Sequence, residues 1–247
     1  MSCRSYPGGM AMTRIVLFDL DGTLLPVETE FFLTHYMDAL AGYFEGVMTY
    51  EAFRKALLGA TLETINNLDP GARNFEAFAE SFSRLSGLPW DDVWPIIDRY
   101  YAERYPKLRV HVPENPAARA VVEKCVEKGW RLVLATQPLF PDTATRERMR
   151  WCNIDSLPWE LVTTLDNMHF CKPHPAYYRE IVDTLGLDPT KCVMVGNDMQ
   201  EDMVAKKVGM KTFLVEDFLI DRGEDLEPDC RGRLVDVPEA LDKLIPP

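Results

Sequence analysis

Residues 14–25 of the chain read RIVLFDLDGTLL, and this stretch decides the fold. It opens with a continuous apolar run, as expected of a strand that is buried on both faces of a parallel sheet. Asp19 and Asp21 stand at the end of the run, and residues i and i+2 of a strand point to the same side. Two ionised carboxylates about 4 Å apart repel by about 4 kcal/mol at an effective dielectric of about 20. The pair therefore predicts either a bound cation or one carboxyl group kept protonated for acid–base chemistry.

The overall composition is that of a globular chain with an acidic balance. Of 247 residues, 47% are hydrophobic and 27% are charged, and the formal net charge is −12. This charge argues against nucleic acid, because backbone phosphates require clustered Lys and Arg, and against an anionic membrane surface. A small phosphorylated metabolite stays compatible with it, since local groups or a metal can neutralise one phosphate. The oligomeric state is not readable from composition.

The termini and the cysteines indicate where the protein works. The sequence contains no apolar stretch of about 18 residues or more, which predicts no membrane span. Residues 1–12 lack the apolar segment of a secretory signal and are predicted to form a disordered tail, with Met10 and Met12 as alternative start sites. The six cysteines show no metal-binding spacing. Reduced thiols and a cytoplasmic location are therefore expected.

Four further apolar runs resemble the first and alternate with helical patterns. The runs cover residues 130–136, 160–164, 191–196 and 211–215, and the helical patterns cover 117–129, 175–186 and 202–209. Such alternation predicts an α/β fold with a doubly wound parallel sheet and right-handed crossovers. Residues 233–245 are predicted to add a short edge strand and a last helix.

Residues 27–108 interrupt this rhythm, because they contain no strand-like run. They are predicted to form amphipathic helices at about 28–44, 49–66, 74–86 and 91–105, with breaks at Asp69-Pro70-Gly71 and Gly87-Leu88-Pro89. The aromatic side chains of this insert are expected to form mainly its own core. The chain then divides into an α/β core, residues 13–26 and 109–247, and a helical cap, residues 27–108.

Polar side chains collect at the ends of the predicted strands, which is where open parallel sheets bind ligands. The first strand is followed by Asp19, Asp21, Gly22 and Thr23, the second by Thr136 and Gln137, and the fourth by Asn197, Asp198 and Asp202, while Lys172 precedes the helix that leads to the fourth strand. Each residue taken alone is compatible with a turn or a helix cap. Four carboxylates, a hydroxyl and an ammonium at one sheet edge favour a catalytic site.

These residues resemble the four motifs of the haloacid dehalogenase (HAD) superfamily of phosphohydrolases. The first motif, DxDGT, stands here as Asp19-Leu20-Asp21-Gly22-Thr23, and the second ends at Thr136 in LVLAT. The third is Lys172, and the fourth is GNDMQED at residues 196–202. The resemblance covers about two thirds of the chain and implies a HAD-like Rossmannoid core. The helical insert is similar to the C1-type cap of this family.

The resemblance implies a phosphatase that works through an aspartyl-phosphate. Asp19 would be the nucleophile, and Asp21 would protonate the leaving oxygen and then activate water. The cofactor would be Mg²⁺, held by the Asp19 carboxylate, the Asp21 backbone carbonyl and an acid of the fourth motif. The substrate phosphate would be bound by Thr136, Gln137 and Lys172. The Thr23 hydroxyl would orient Asp21.

Two positions depart from the family pattern. The second motif usually continues with Asn, whereas this chain has Gln137. The fourth motif reads Gly-Asn-Asp, so either Asn197 or Asp198 fills its first metal position. Asp198 is preferred, because an anion binds Mg²⁺ better than an amide does. Asp202 would then join the metal site indirectly, by ordering a metal-bound water or Lys172.

The same residues bear on the other activities of the superfamily. Dehalogenases lack the second aspartate and use no metal, so Asp21, Asp198 and Asp202 argue against that reaction. Phosphonate hydrolysis requires a cap lysine that forms a Schiff base, and nothing singles out Lys55. A sugar phosphomutase and a non-catalytic binding or regulatory protein of the same fold remain alternatives. The few basic residues of the insert favour a small phosphomonoester with a compact leaving group.

Overall fold

The computed structural model describes residues 14–223 and 225–246, so the predicted N-terminal tail lies outside the described residues. Six parallel strands form one sheet in the order β3-β2-β1-β4-β5-β6. The strands are β1 (Ile15–Phe18), β2 (Arg131–Leu134), β3 (Trp159–Val162), β4 (Cys192–Gly196), β5 (Lys211–Val215) and β6 (Cys230–Gly232). The predicted α/β fold with a parallel sheet is confirmed.

The central strand β1 explains why its sequence is uniformly apolar. All four of its residues are buried, and it pairs in parallel with β2 on one side and β4 on the other. The strand order reverses at β1, since the chain returns from the β3 edge to the other side of the sheet at β4. A crevice at the carboxyl ends of strands is expected at such a switch point, and both predicted aspartates follow β1.

Helices of the α/β part are α5 (Pro116–Glu127), α6 (Asp142–Trp151), α7 (Pro175–Leu185) and α8 (Val237–Leu244). The segment predicted as a helix at 202–209 forms a 3₁₀ helix, Met203–Val208, that ends at Gly209 with φ +97°. Helix α6 was not predicted. Its inward face includes Thr145 and Arg148 as well as apolar residues, so its sequence carries no continuous apolar stripe.

The predicted edge strand lies three residues too late in the chain. The strand is Cys230–Gly232, whereas residues 234–236 form a 3₁₀ turn. The Asp236 carboxylate accepts a hydrogen bond of 2.9 Å from the Arg233 backbone N–H, which closes that turn and stops the strand.

The four predicted helices between β1 and β2 are confirmed, as α1 (Thr29–Ala41), α2 (Tyr50–Asn66), α3 (Asn74–Ser86) and α4 (Trp90–Glu103). Their aromatic side chains pack together, with the rings of Phe44 and Phe53 4.8 Å apart. The aromatic packing also continues into the α/β part, since Tyr105 stacks on Trp151 of α6 at 5.5 Å. The division into a cap and a core therefore stays a prediction.

Within residues 14–223 and 225–246, no helix combines the length and the apolarity needed to cross a membrane.

Candidate active site

The loop after β1 places two carboxylates at the switch point. The backbone N–H of Asp19 still belongs to the sheet, since it donates to the Val195 carbonyl at 2.9 Å. The chain then turns back sharply, because the Leu25 N–H donates to the Leu20 carbonyl at 2.8 Å and Gly22 adopts φ +81°. Asp19 and Asp21 thereby both line a cavity at the carboxyl ends of the strands.

Asn197 fastens this loop to the rest of the site. Its side-chain oxygen accepts a hydrogen bond of 3.1 Å from the Thr23 hydroxyl, and its side-chain nitrogen donates to the Phe218 carbonyl at 2.6 Å. Thr23 thus contacts Asn197 directly, and its predicted role in orienting Asp21 stays a prediction. Both ends of the Asn197 amide are therefore engaged within the protein.

The contact between Gly22 and Asn197 leads to a stability prediction. A Cβ atom on Gly22 would lie 2.3 Å from the Asn197 side-chain nitrogen, whereas one on Gly87, which also has a positive φ of +74°, would meet nothing within 4 Å. We expect Gly87→Ala to cost about 1–2 kcal/mol in unfolding free energy through φ alone. Gly22→Ala should cost about 1–3 kcal/mol more, through the added overlap. Urea unfolding of both variants measures the difference, and equal losses would contradict the proposed contact.

Lys172 joins two buried carboxylates beneath the cavity. Its Nζ lies 2.9 Å from Asp19 Oδ1 and 2.6 Å from Asp202 Oδ1, and the side chain is fully buried. Burial alone would lower the pKa of Lys172, but the two carboxylates outweigh burial and hold it well above its ordinary value. Burial raises the pKa of Asp202 to about 7, although Lys172 opposes that shift. The ammonium is therefore fixed as a cation next to Asp19.

Gln137 holds the backbone of Lys172. Its side-chain nitrogen donates to the Lys172 carbonyl, and its side-chain oxygen accepts from the Lys172 N–H, both at 3.0 Å. Gln137 also lines the cavity, so its predicted contact with the substrate phosphate stays a prediction beside this contact with Lys172. Thr136 is buried at the end of β2, and its carbonyl accepts hydrogen bonds of 2.9 Å from the hydroxyls of Thr163 and Tyr177.

The fourth motif forms a tight turn after β4. Asp202 Oδ2 accepts from the Asp198 N–H at 3.0 Å, and a Cβ atom on Gly196 would lie only 2.0 Å from this oxygen. Glycine at position 196 is thus required for the approach of Asp202. The Asp198 carboxylate accepts from Nη1 of Arg222 at 2.9 and 2.8 Å.

Arg148 is a site residue that the sequence did not reveal. Its side chain is completely buried, and its guanidinium donates to Asp21 Oδ2. The guanidinium carbon also lies 4.2 Å from the ring centroid of Phe140. Burial raises the pKa of Asp21, while Arg148 lowers it, and burial prevails. Three arginines lie on α6, and the sequence alone does not tell that this one faces inward.

The cavity that these residues line has a volume of about 1170 Å³. It extends from the strand ends to α1 and α2, and it is strongly acidic. Among the described residues that line it, nine are acidic and Arg222 is the one basic residue. Because anionic walls repel a polyanion, such a cavity suits a ligand with few negative charges.

The fit of a divalent metal was tested on the donor atoms. Within the described part of the chain, no group of three or more His, Cys, Asp or Glu side chains is arranged to hold a metal ion. The donors predicted for Mg²⁺ include only two side chains, the carboxylates of Asp19 and Asp198. The third donor is the backbone carbonyl of Asp21. These are hard oxygen donors of the kind that Mg²⁺ prefers. The site also holds more acidic than basic side chains: Asp19, Asp21, Asp198, Glu201 and Asp202 against Arg148, Lys172 and Arg222. The donor set therefore fits a divalent cation.

Comparison with known proteins agrees with this arrangement. A family model described as haloacid dehalogenase-like hydrolase matches residues 13–209. The chain belongs to this family. A relative, the pyrophosphatase PpaX of Bacillus velezensis, is 25% identical over 197 residues, which is 80% of each chain.

Solved structures of HAD proteins resemble the chain in fold. A HAD phosphatase from Thermococcus onnurineus has a TM-score of 0.58 and 21% identity, with 93% of this chain and 98% of that chain covered. An L-2-haloacid dehalogenase from Xanthobacter autotrophicus has a TM-score of 0.57 and 15% identity, with 93% and 98% covered. At these identities the likeness shows the fold alone. The family match and the phosphatase relatives together confirm the prediction of a HAD phosphatase enzyme.

Proposed function

We propose that the enzyme hydrolyses a small phosphomonoester, with Mg²⁺ as cofactor, through an aspartyl-phosphate on Asp19. The observation that carries this proposal is the position of Asp19, which lines the cavity while Lys172 lies 2.9 Å from its Oδ1. The adjacent ammonium stabilises an ionised carboxylate, and an ionised carboxylate can attack phosphorus. The leaving alcohol departs as the Asp19–phosphorus bond forms, and water then cleaves that bond to release phosphate.

Asp21 is proposed as the general acid and base. Arg148 holds Oδ2, while Oδ1 is buried and has no hydrogen-bond partner among the described residues. Because no protein group engages Oδ1 among the described residues, this oxygen would be the one to give a proton to the leaving oxygen and to take one from water. The raised pKa of Asp21 favours the protonated form that the first step needs.

The remaining residues would position the phosphoryl group and the cofactor. Asp19, the Asp21 carbonyl and Asp198 would hold Mg²⁺, which when bound offsets negative charge on the phosphoryl oxygens. Lys172 and Thr136 would bind these oxygens, and Gln137 would keep Lys172 in place through its backbone. Asp202 supports the site through its contacts with Lys172 and the Asp198 N–H.

The charge of the cavity supports a monoester over pyrophosphate, although some relatives are named pyrophosphatases. Nine acidic residues of the lining would repel a second phosphate, and each of the site's cationic side chains among the described residues, Arg148, Lys172 and Arg222, already binds a carboxylate. Pyrophosphate is therefore expected to be the poorer substrate.

The proposal is tested by release of inorganic phosphate from a panel of phosphomonoesters and from pyrophosphate. We expect release from at least one monoester with Mg²⁺, loss of that release with EDTA, and slower release from pyrophosphate. Absence of release from every compound, including a generic aryl phosphate, would overturn the proposal and make a phosphomutase or a binding protein the leading hypothesis.

Arg148→Met should separate the role of Arg148 from simple packing. Methionine retains apolar volume but leaves Asp21 without its guanidinium partner, so Asp21 loses its orientation and its pKa rises further. We expect kcat to fall about 10- to 100-fold with a smaller change in KM. Arg148→Lys should recover part of kcat, since it restores the charge. A loss that lysine does not reduce, or one confined to KM, would contradict a role in positioning Asp21.

A further inference from the structure

A second cavity lies beside the catalytic one, between α1, α2, α4 and the loop at residues 139–141. Its volume is about 150 Å³. Of its sixteen lining residues none is charged, and all except Thr61 are apolar or aromatic. Two of them, Tyr36 and Tyr101, bind each other through their hydroxyls at 2.9 Å, so these groups need no polar ligand. The cavity therefore offers an apolar environment.

The two cavities share part of their walls. Leu33, Thr61, Leu139 and Phe140 line both of them. Phe140 is the decisive residue, because its ring packs against the guanidinium of Arg148, which in turn binds Asp21. The group that leaves from phosphorus must have its oxygen near Asp21 if Asp21 protonates it. Phe140 is thus placed along the direction in which the rest of the leaving group extends.

The size of the second cavity points to a ligand. The cavity is partly open to solvent, since Leu33 and Leu58 of its lining are 39% and 45% exposed. An apolar space of about 150 Å³ accommodates a molecule the size of benzene. This volume matches an aromatic ring or a chain of about six carbons.

We infer that the substrate's leaving group carries an apolar ring or a chain of about six carbons that occupies this second cavity. The inference rests on the proposed phosphatase function and refines the expected compact leaving group. The phosphate would bind at Asp19 and Lys172, and the apolar part would lie among α1, α2 and α4.

A series of n-alkyl phosphates, from ethyl to octyl, tests the inference. Their leaving alcohols have nearly equal acidity, so chain length changes binding rather than intrinsic reactivity. We expect kcat/KM to rise about fourfold per methylene up to about six carbons and then to level off. Phosphate release that depends on Asp19 but does not vary with chain length would overturn the inference and leave the phosphatase proposal intact. Absence of release from all members would instead count against the phosphatase proposal.

Two substitutions on α2 test whether the dependence of kcat/KM on chain length arises in the second cavity. Thr61→Phe fills the cavity, and its matched control is Leu62→Phe, because Leu62 is 61% exposed and does not line either cavity. We expect Thr61→Phe to lower the hexyl-to-ethyl ratio of kcat/KM at least tenfold and Leu62→Phe to leave that ratio unchanged. An equal loss for hexyl and ethyl phosphate would contradict an apolar subsite.

Leu58→Ala tests the same cavity by a second route, in case Thr61→Phe does not fold. Leu58 lines the cavity yet is 45% exposed, so its truncation should be tolerated. The enlarged cavity should move the optimum to a chain one or two carbons longer, whereas Leu62→Ala should not. A readout without turnover is the tryptophan fluorescence of Asp19→Asn, because Trp90 and Trp94 line the cavity. Hexyl phosphate should change it and ethyl phosphate should not, and an identical response to both would contradict the inference.

Discussion

Asp19→Asn is expected to lower kcat/KM for phosphate release by about 10⁴-fold or more. The amide is a poor nucleophile, so no aspartyl-phosphate forms, and the side chain also loses the charge that helps to hold Mg²⁺. The measurement is the initial rate of phosphate release with Mg²⁺ present, on the best substrate of the panel.

The fold of this variant should be preserved. The asparagine oxygen can still accept the hydrogen bond that Lys172 donates to Asp19 Oδ1. Asp155→Asn is a matched control, because Asp155 is exposed and does not line the cavity. Its rate should equal that of the unchanged enzyme. An Asp19→Asn variant that unfolds normally yet retains more than about a tenth of the rate would exclude Asp19 as the nucleophile.

Lys172→Met is expected to produce the largest loss of stability. It leaves the buried carboxylates of Asp19 and Asp202 without their common cation. Breaking a buried ion pair in this way costs about 3–5 kcal/mol. Activity should be lost as well, since Lys172 is proposed to bind the phosphoryl oxygens. Unfolding by urea in the presence of EDTA measures the loss of unfolding free energy without a contribution from bound metal.

The pH dependence of this loss has a defined sign. Burial raises the pKa of Asp202 from 3.8 to about 7 in the folded protein, so the folded state binds this proton more tightly than the unfolded state does. The resulting stabilisation is fully present below pH 3.8 and is lost as the pH rises through about 7. Removing Lys172 removes an interaction that lowers this pKa, so the pKa rises further. The deficit of Lys172→Met should therefore be larger at pH 8 than at pH 5.

Lys124→Met is the control for the loss of a lysine charge. Lys124 and Glu239 form an exposed pair, and such surface pairs add little stability. Its unfolding midpoint should stay nearly unchanged at both pH values. A deficit of Lys172→Met that is equal at pH 5 and pH 8 would mean that Asp202 does not titrate in the folded protein as described.

The sequence predicted most of the architecture because its signals are local. A strand buried on both faces must be apolar throughout, as β1 and β4 are, and the helices between β1 and β2 begin and end at polar or Gly and Pro breaks such as Gly87. Helix α6 escaped prediction because its inward face contains Arg148. The edge strand was misplaced because the Asp236 side chain closes a turn where the apolar pattern continued.

The candidate site was likewise predicted only in part. Motif spacing identified Asp19, Asp21, Lys172 and Asp202, and the structure brings all four to one edge of the sheet. It did not predict the partner of Thr23, whose hydroxyl binds Asn197. A motif states which residue type stands at a position, whereas the partner of that residue depends on packing.

The sequence by itself determined the fold class. It also determined that polar residues follow the strands, and which residue types are available to act on a phosphate. Only the tertiary structure decided that Arg148 binds Asp21 across 127 residues of chain, that Gln137 serves the backbone of Lys172, and that an apolar cavity adjoins the catalytic one. The physical reason is the distance along the chain over which each interaction acts. Backbone hydrogen bonding and hydrophobic periodicity act over a few residues and leave a trace in the sequence. Contacts between distant segments depend on how helices pack on the sheet, and no local pattern records them.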